Sequence, residues 1–178
     1  MLLALSCLFI AAAAGWLAAQ AGHASSPSVQ ADRLNNLGVG YMNQQQFEKA
    51  LRAFRQARAA APKLVAPYLN EGIALLNMQQ LDAAQKVLTD VTRLDTRSGR
   101  AWYNLGLAQN ELGQPDTAIA SLRSAESADY HDERIPYARA TILARLGQTQ
   151  AAIEAAKRAL QINPAYEAAR QLLTQLHN

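Results

Sequence analysis

The sequence predicts an all-α protein, a solenoid of four helical hairpins closed by one further helix, on three observations. Half of its 178 residues are apolar but only 6% are aromatic, and Gly and Pro are sparse, a balance that favours packed helices over sheets. A self-similarity of 34 residues runs through the chain without insertion: Gly38, Gly72 and Gly106 are one such step apart, and the next step lands on Ala140. Each 34-residue unit carries two stretches with apolar residues at helical spacing, broken near Gln45, Gln79, Gly113 and Gly147.

The elements follow in chain order. From Met1 to Ala31 there is no Lys, Arg, Asp or Glu, and Leu2 to Ala21 is almost wholly apolar. Residues 1–24 are therefore expected to be a signal peptide or an N-terminal membrane anchor, with small residues at Ala19-Gln20-Ala21 and Gly22-His23-Ala24 for cleavage. Either role places the remainder outside the cytoplasm, periplasmic or secreted, and leaves the membrane as a partner only through residues 2–21. Residues 25–30 are expected as a polar linker, and the units as 31–64, 65–98, 99–132 and 133–166. Four more columns hold the register: Ala50, Ala84, Ala118 and Ala152; Phe54, Leu88, Leu122 and Ala156; Ala57, Val91, Ala125 and Ala159; Pro62, Thr96, Tyr130 and Pro164. The small residues of the Gly38 column let the two helices of a hairpin approach closely. Pro62 and Pro164 cannot continue a helix and mark the handover between units. A hairpin cannot bury its apolar face alone, so the units stack. A last helix, read as an amphipathic stretch over Ala165–Leu176 with the capping segment bounded at 167–178, carries Ala169, Leu172, Leu173 and Leu176 on one side and is expected to cap the stack and complete the domain.

The first unit places Leu34, Leu37-Gly38, Tyr41, Ala50, Phe54, Ala57 and Pro62, and the third Trp102, Leu105-Gly106, Ala118, Leu122 and Ala125, at offsets that resemble the tetratricopeptide repeat. The resemblance covers residues 31–178 and implies a right-handed superhelix that binds another polypeptide without catalysis, in the manner of an exported bacterial member of the family. The second and fourth units depart from the pattern, with Glu71 and Arg139 in the Leu column and Pro136 in the aromatic one; salt-bridged or partly exposed variation is the expectation for the two charged residues.

With Leu34, Leu37, Gly38 and Tyr41 packed inward, the free stripe of each first helix holds Asn35, Asn36, Val39 and Asn43; Leu69, Asn70, Ile73 and Asn77; Arg100, Tyr103, Asn104, Leu107 and Glu111; and Arg134, Tyr137, Thr141 and Arg145. In tetratricopeptide domains this stripe lines the concave groove. Asn36, Asn70 and Asn104 share one offset and resemble the asparagine array with which some such superhelices grip peptide main chains. The alternative is that they serve contacts between neighbouring inner helices. Val39, Leu69, Ile73, Tyr103 and Leu107 are the apolar anchors. Arg100, Arg134 and Asn70 resemble part of a carboxylate clamp, but Val39, Asn35 and Asn104 stand where its other members belong. Exposed arginines paired with Glu133 or Asp132 are the plainer reading.

Other functions find little support. Seventeen Lys and Arg against 14 Asp and Glu, spread evenly for a net charge of +3, provide no basic tract for nucleic acid. Cys7 is the single cysteine, and His23, His131 and His177 are too dispersed for a metal site or a nucleophile–base pair. No phosphate loop, HExxH or GxSxG occurs. No cofactor or metal is expected. The expected partner is a protein or extended peptide, including one in an envelope complex; the rivals are a self-associating structural subunit and an accessory domain for a separate catalytic chain.

Overall fold

The computed structural model describes residues 26–129 and 131–177, so the apolar leader, with the signal or anchor expected there, lies outside the described residues. Those residues form nine α-helices: α1 (Pro27–Asn43), α2 (Phe47–Ala60), α3 (Val65–Asn77), α4 (Leu81–Leu94), α5 (Gly99–Glu111), α6 (Pro115–Ala128), α7 (Arg134–Arg145), α8 (Thr149–Ile162) and α9 (Glu167–His177). Helices α1/α2, α3/α4, α5/α6 and α7/α8 are the hairpins, each second helix packs on the first helix of the next hairpin, and α9 packs on α8. The result is a right-handed superhelix.

Each hairpin turns at a residue in the left-handed region: Gln45 (φ 57°), Gln79 (φ 55°), Gly113 (φ 72°) and Gly147 (φ 72°). The amide beyond it reaches back to the preceding helix: Gln46 to the Tyr41 carbonyl at 2.9 Å, Gln80 to Leu75 at 2.9 Å, Gln114 to Gln109 at 2.9 Å and Gln148 to Leu143 at 3.0 Å. Together with the bonds Gln45 to Met42, Gln79 to Leu76, Gly113 to Asn110 and Gly147 to Ala144, these are four copies of the Schellman stop, which satisfies carbonyls that a helix end leaves open.

The repeat columns are the core. All members of the Ala50, Phe54 and Ala57 columns are fully buried through the four units. A Cβ placed on Gly38 would collide with the Phe54 ring; on Gly72 it would lie 2.6 Å from Leu88 Cδ2, and on Gly106 2.9 Å from Leu122 Cγ. The small column and the large column of each hairpin are therefore one contact, repeated. Pro136 sits in the first turn of α7, where a missing amide proton removes no helical bond, so the fourth inner helix forms despite its unusual sequence.

Three expectations need correction. The chain enters the helix at Pro27, with the Ser26 hydroxyl accepting from the Val29 amide at 3.3 Å, so residues 27–30 are helical rather than linker; a Ser cap followed by Pro at the first helical position is a strong helix start. The cap begins at Glu167 rather than Ala165, because the Asn163 side chain accepts from the Ala165 amide at 3.0 Å and holds a turn there. Leu37, expected to pack inward, is 49% exposed: no described helix packs on that side of α1, whereas its counterpart Leu105 is buried between α4 and α5.

The two departures in the Leu column are both ion pairs between neighbouring hairpins. The Glu71 carboxylate, 3% exposed, accepts from Arg55 Nε at 2.9 Å and from Arg58 Nη1. Arg139 Nε and Nη2 donate to the Glu126 carboxylate at 3.1 and 3.3 Å. Glu71 and Arg139 occupy one repeat position and Arg58 and Glu126 another, so the same contact recurs two units on with its charges exchanged.

Candidate functional site

The inner helices α1, α3, α5 and α7 line the concave side, and their exposed stripe is set by the packing above. Once the Gly38 column faces its own hairpin partner, residues one position on face the groove. Val39, Ile73 and Leu107 form an apolar row, one in each of the first three units. Two clefts flank Ile73. The first, of about 200 Å³, is lined by Val39, Met42, Asn43, Phe54, Asn70, Ile73 and Arg100. The second, of about 360 Å³, is lined by Ile73, Leu76, Asn77, Gln79, Leu81, Asn104, Leu107 and Glu111. Stripe residues named from the sequence, Asn43, Asn77 and Arg100 among them, thus meet in adjoining clefts that share one side chain.

The carboxamides have unequal roles. Asn70 Nδ2 donates to Asn35 Oδ1 at 2.8 Å, joining α1 to α3. Asn104, 9% exposed, donates to the Arg100 carbonyl of its own helix at 2.7 Å, and Asn77 does the same to Ile73 at 2.9 Å. Asn36 and Asn43 are exposed. A uniform ladder of free amides is therefore absent at Asn104, while Asn70, with one proton engaged, keeps an acceptor and a second donor. Leu69 is buried in the core against Leu51 and its neighbours rather than lining the groove; α3 is covered on that side by the preceding hairpin.

The far end of the groove is aromatic and cationic. Tyr137 and Tyr166 meet edge to face at 5.2 Å, and the Arg134 guanidinium lies 5.7 Å from the Tyr103 ring centre. Asp132 holds Arg134 with bonds of 2.9 Å to Nε and 2.6 Å to Nη2. The hydrogen bond from Arg134 keeps the Asp132 carboxyl below the usual range, and in return raises the Arg134 pKa. Burial pushes the Tyr103 and Tyr166 hydroxyls up. Arg134 is thus paired as the plainer reading expects. Arg100 is not: no ion pair involves Arg100 or Glu111 among the described residues.

Some lining residues lie outside the stripe read from the sequence. Met42 and Leu76 follow the apolar row by one turn, and Phe54 and Leu81 come from outer helices. For Met42 and Leu76 the signal was the row itself, since i+3 neighbours of a groove residue share its side of the helix. Tyr166 had no such signal, because it precedes α9 in a turn.

Among solved structures, MamA from Desulfovibrio magneticus RS-1 is 23% identical, with a TM-score of 0.75 over 83% of this chain and 84% of that one. A thermophilic TPR protein of Thermus thermophilus is 22% identical with a TM-score of 0.72, covering 83% and 81% of the two chains. YrrB, described as a TPR protein with an unusual peptide-binding site, is 18% identical with a TM-score of 0.68, covering 81% and 74%. These likenesses are of fold. None of the curated proteins matches the chain. Residues 31–64, 69–133 and 111–167 match the tetratricopeptide repeat, whose stacked hairpins serve as protein-interaction scaffolds, and this chain belongs to the tetratricopeptide repeat family.

Proposed function

We propose that this protein is a non-catalytic adaptor that holds an extended segment of another polypeptide in its concave groove, outside the cytoplasm. The observation that carries the reading is the pair of adjoining clefts about Ile73, where apolar side chains, carboxamides and two charges without an ionic partner among the described residues converge on exposed backbone-sized space. Apolar anchors supply most of the affinity, since a net hydrogen bond contributes only about 0.5–1.5 kcal/mol, and after the entropy of association a dissociation constant on the order of micromolar results. The location rests on the uncharged apolar stretch Leu2–Ala21.

Site-specific photocrosslinking in cells tests the groove. A crosslinker at Asn43 or Asn77 is expected to capture a second polypeptide, and one at Glu48 or Glu154 on the outer helices is not. Capture from the outer positions alone, or from none, refutes groove binding. For the location, a C-terminal tag is expected to be cut by protease added to spheroplasts; protection until lysis refutes it.

A further inference from the structure

Resting on that reading, we propose that the groove selects a polyproline II segment bearing apolar side chains three residues apart, with an acidic residue beside the first and a basic residue beside the second. The argument begins with spacing. The clefts lie on either side of Ile73, between successive members of the row Val39, Ile73 and Leu107, and are therefore one inner-helix spacing apart, about 8–10 Å. In polyproline II, residues i and i+3 share a face and are separated by about 9.3 Å. A β-strand repeats a face every second residue, at about 6.6 or 13 Å, and would leave one cleft empty or clash with the wall between them.

A helical ligand also brings two residues, i and i+7, to about 10.5 Å on one face. Two features disfavour it. A helix with side chains is about 10–12 Å across, and clefts of about 200 and 360 Å³ admit side chains rather than a whole helix. Its main-chain groups are also bonded to one another, whereas those of polyproline II are open to solvent. Asn43 and the remaining capacity of Asn70 and Asn77 on the cleft walls match open main-chain groups and would go unused against a helix.

Charge complementarity completes the ligand. Arg100 lines the first cleft and Glu111 the second, neither has an ionic partner among the described residues, and both belong to α5, about 16 Å apart along its axis. The α5 axis runs across the line joining the clefts, so Arg100 and Glu111 stand on opposite edges of the bound segment. In a helix of three residues per turn the residue before the first anchor and the residue after the second project to opposite sides, so one acidic and one basic side chain can flank the two anchors.

The test uses the purified full chain and fluorescent synthetic peptides of roughly twelve residues. In a proline-rich frame they carry two leucines two, three or four residues apart, a glutamate ahead of the first and a lysine behind the second; an alanine-rich helical peptide carries leucines seven apart. Anisotropy titration is expected to show the three-residue spacing binding about tenfold or more tighter than the others. Arg100→Glu, at an exposed position that leaves packing intact, is expected to weaken that peptide about tenfold, and replacing its glutamate by lysine to recover the loss. Ile73→Asp, with folding verified by circular dichroism, is expected to abolish the spacing preference. Equal affinity at all spacings, or a preference for the helical peptide, overturns the conformational assignment while groove binding stands. An Arg100→Glu variant indifferent to peptide charge overturns the charge assignment, and failure of every peptide to bind overturns both this inference and the adaptor reading.

Discussion

Reversing one charge between the first two hairpins is expected to destabilise the protein severely, and reversing its partner as well to restore it. Glu71→Arg would place a third guanidinium beside Arg55 and Arg58, at a position only 3% exposed in the native protein. Two unit charges 4 Å apart interact by about 4 kcal/mol at an effective dielectric of 20. Arg55 can swing into water, since its side chain is 57% exposed. Arg58 is held by the Tyr68 ring 3.8 Å away. Burial disfavours its charge more than any one contact favours it, but the bond to Glu71, the charge of Glu71 and the Tyr68 hydroxyl together raise its pKa. The single substitution is therefore expected to cost about 3–5 kcal/mol, in the range for breaking a buried pair, out of a total of about 5–15. Glu71→Arg combined with Arg58→Glu recreates the arrangement of Arg139 and Glu126, with Arg55 standing where Arg123 does two units on. Urea unfolding of the wild type, both single variants and the pair yields the coupling energy, expected to exceed about 2 kcal/mol. A double variant no more stable than the worse single one refutes the reasoning. The exchanged charges also discriminate between stackings: the second hairpin docked on the third would oppose Glu71 to Glu126, and the fourth on the first would oppose Arg139 to Arg58. Such like-charge contacts penalise wrong repeat orders that identical hairpins would permit.

Other outcomes follow from single contacts. Gly72→Ala puts a methyl 2.6 Å from the fully buried Leu88 and is expected to cost about 1–3 kcal/mol, while Gly40→Ala, with nothing within 4 Å, is expected to stabilise by about 0.5–1 kcal/mol; thermal melts distinguish them. Gln79→Gly relieves a left-handed backbone at an exposed turn and is expected to raise stability by up to about 1 kcal/mol, since the steric relief of about 1–2 kcal/mol exceeds the added chain entropy. Asp132→Asn is expected to lower stability at neutral pH by less than about 1 kcal/mol. Because the folded carboxyl titrates below its ordinary value, the wild-type advantage is present above about pH 3.9 and disappears as pH falls through the depressed value, which urea midpoints at neutral pH and near pH 2 would show.

The hairpins were legible because their determinants are local. A small residue and a large one sixteen positions apart, such as Gly72 and Leu88, specify one contact, and the stop at Gln45, Gln79, Gly113 or Gly147 is written where it acts. The groove was legible as a stripe, since helical geometry dictates which residues share a face. Details set by the neighbouring unit were harder to read. Leu69 and Ile73 lie one turn apart on the same stripe, yet the core takes Leu69 and the groove keeps Ile73 partly open, a division that depends on how far one hairpin rotates over the next. Asn70 and Asn104 share a repeat position, but Asn70 reaches Asn35 on the neighbouring inner helix and Asn104 turns to its own backbone; the repeat equivalent of Asn35 one unit on is Leu69, whose side chain has no acceptor to offer. The ion pairs of Glu71 and Arg139 were foreseeable as pairs; their mirror relation emerges only when two columns are compared over two repeats.

Burial in a repeat protein depends on a residue's place in the stack as much as on its column. Leu37 and Leu105 are the same residue at the same repeat position, 49% and 3% exposed, and composition or periodicity cannot separate them. Leu105→Ala is expected to cost about 2–5 kcal/mol, the cost of a cavity between α4 and α5, and Leu37→Ala less than about 1 kcal/mol, as for an exposed side chain. Urea unfolding of the full chain decides the matter. Equal losses at the two positions would contradict the exposure of Leu37 and mean that in solution another surface covers the outer side of α1. A small loss at Leu37 alone leaves the stack open there and assigns its cohesion to the contacts between hairpins, as the nearest-neighbour energetics of solenoids require.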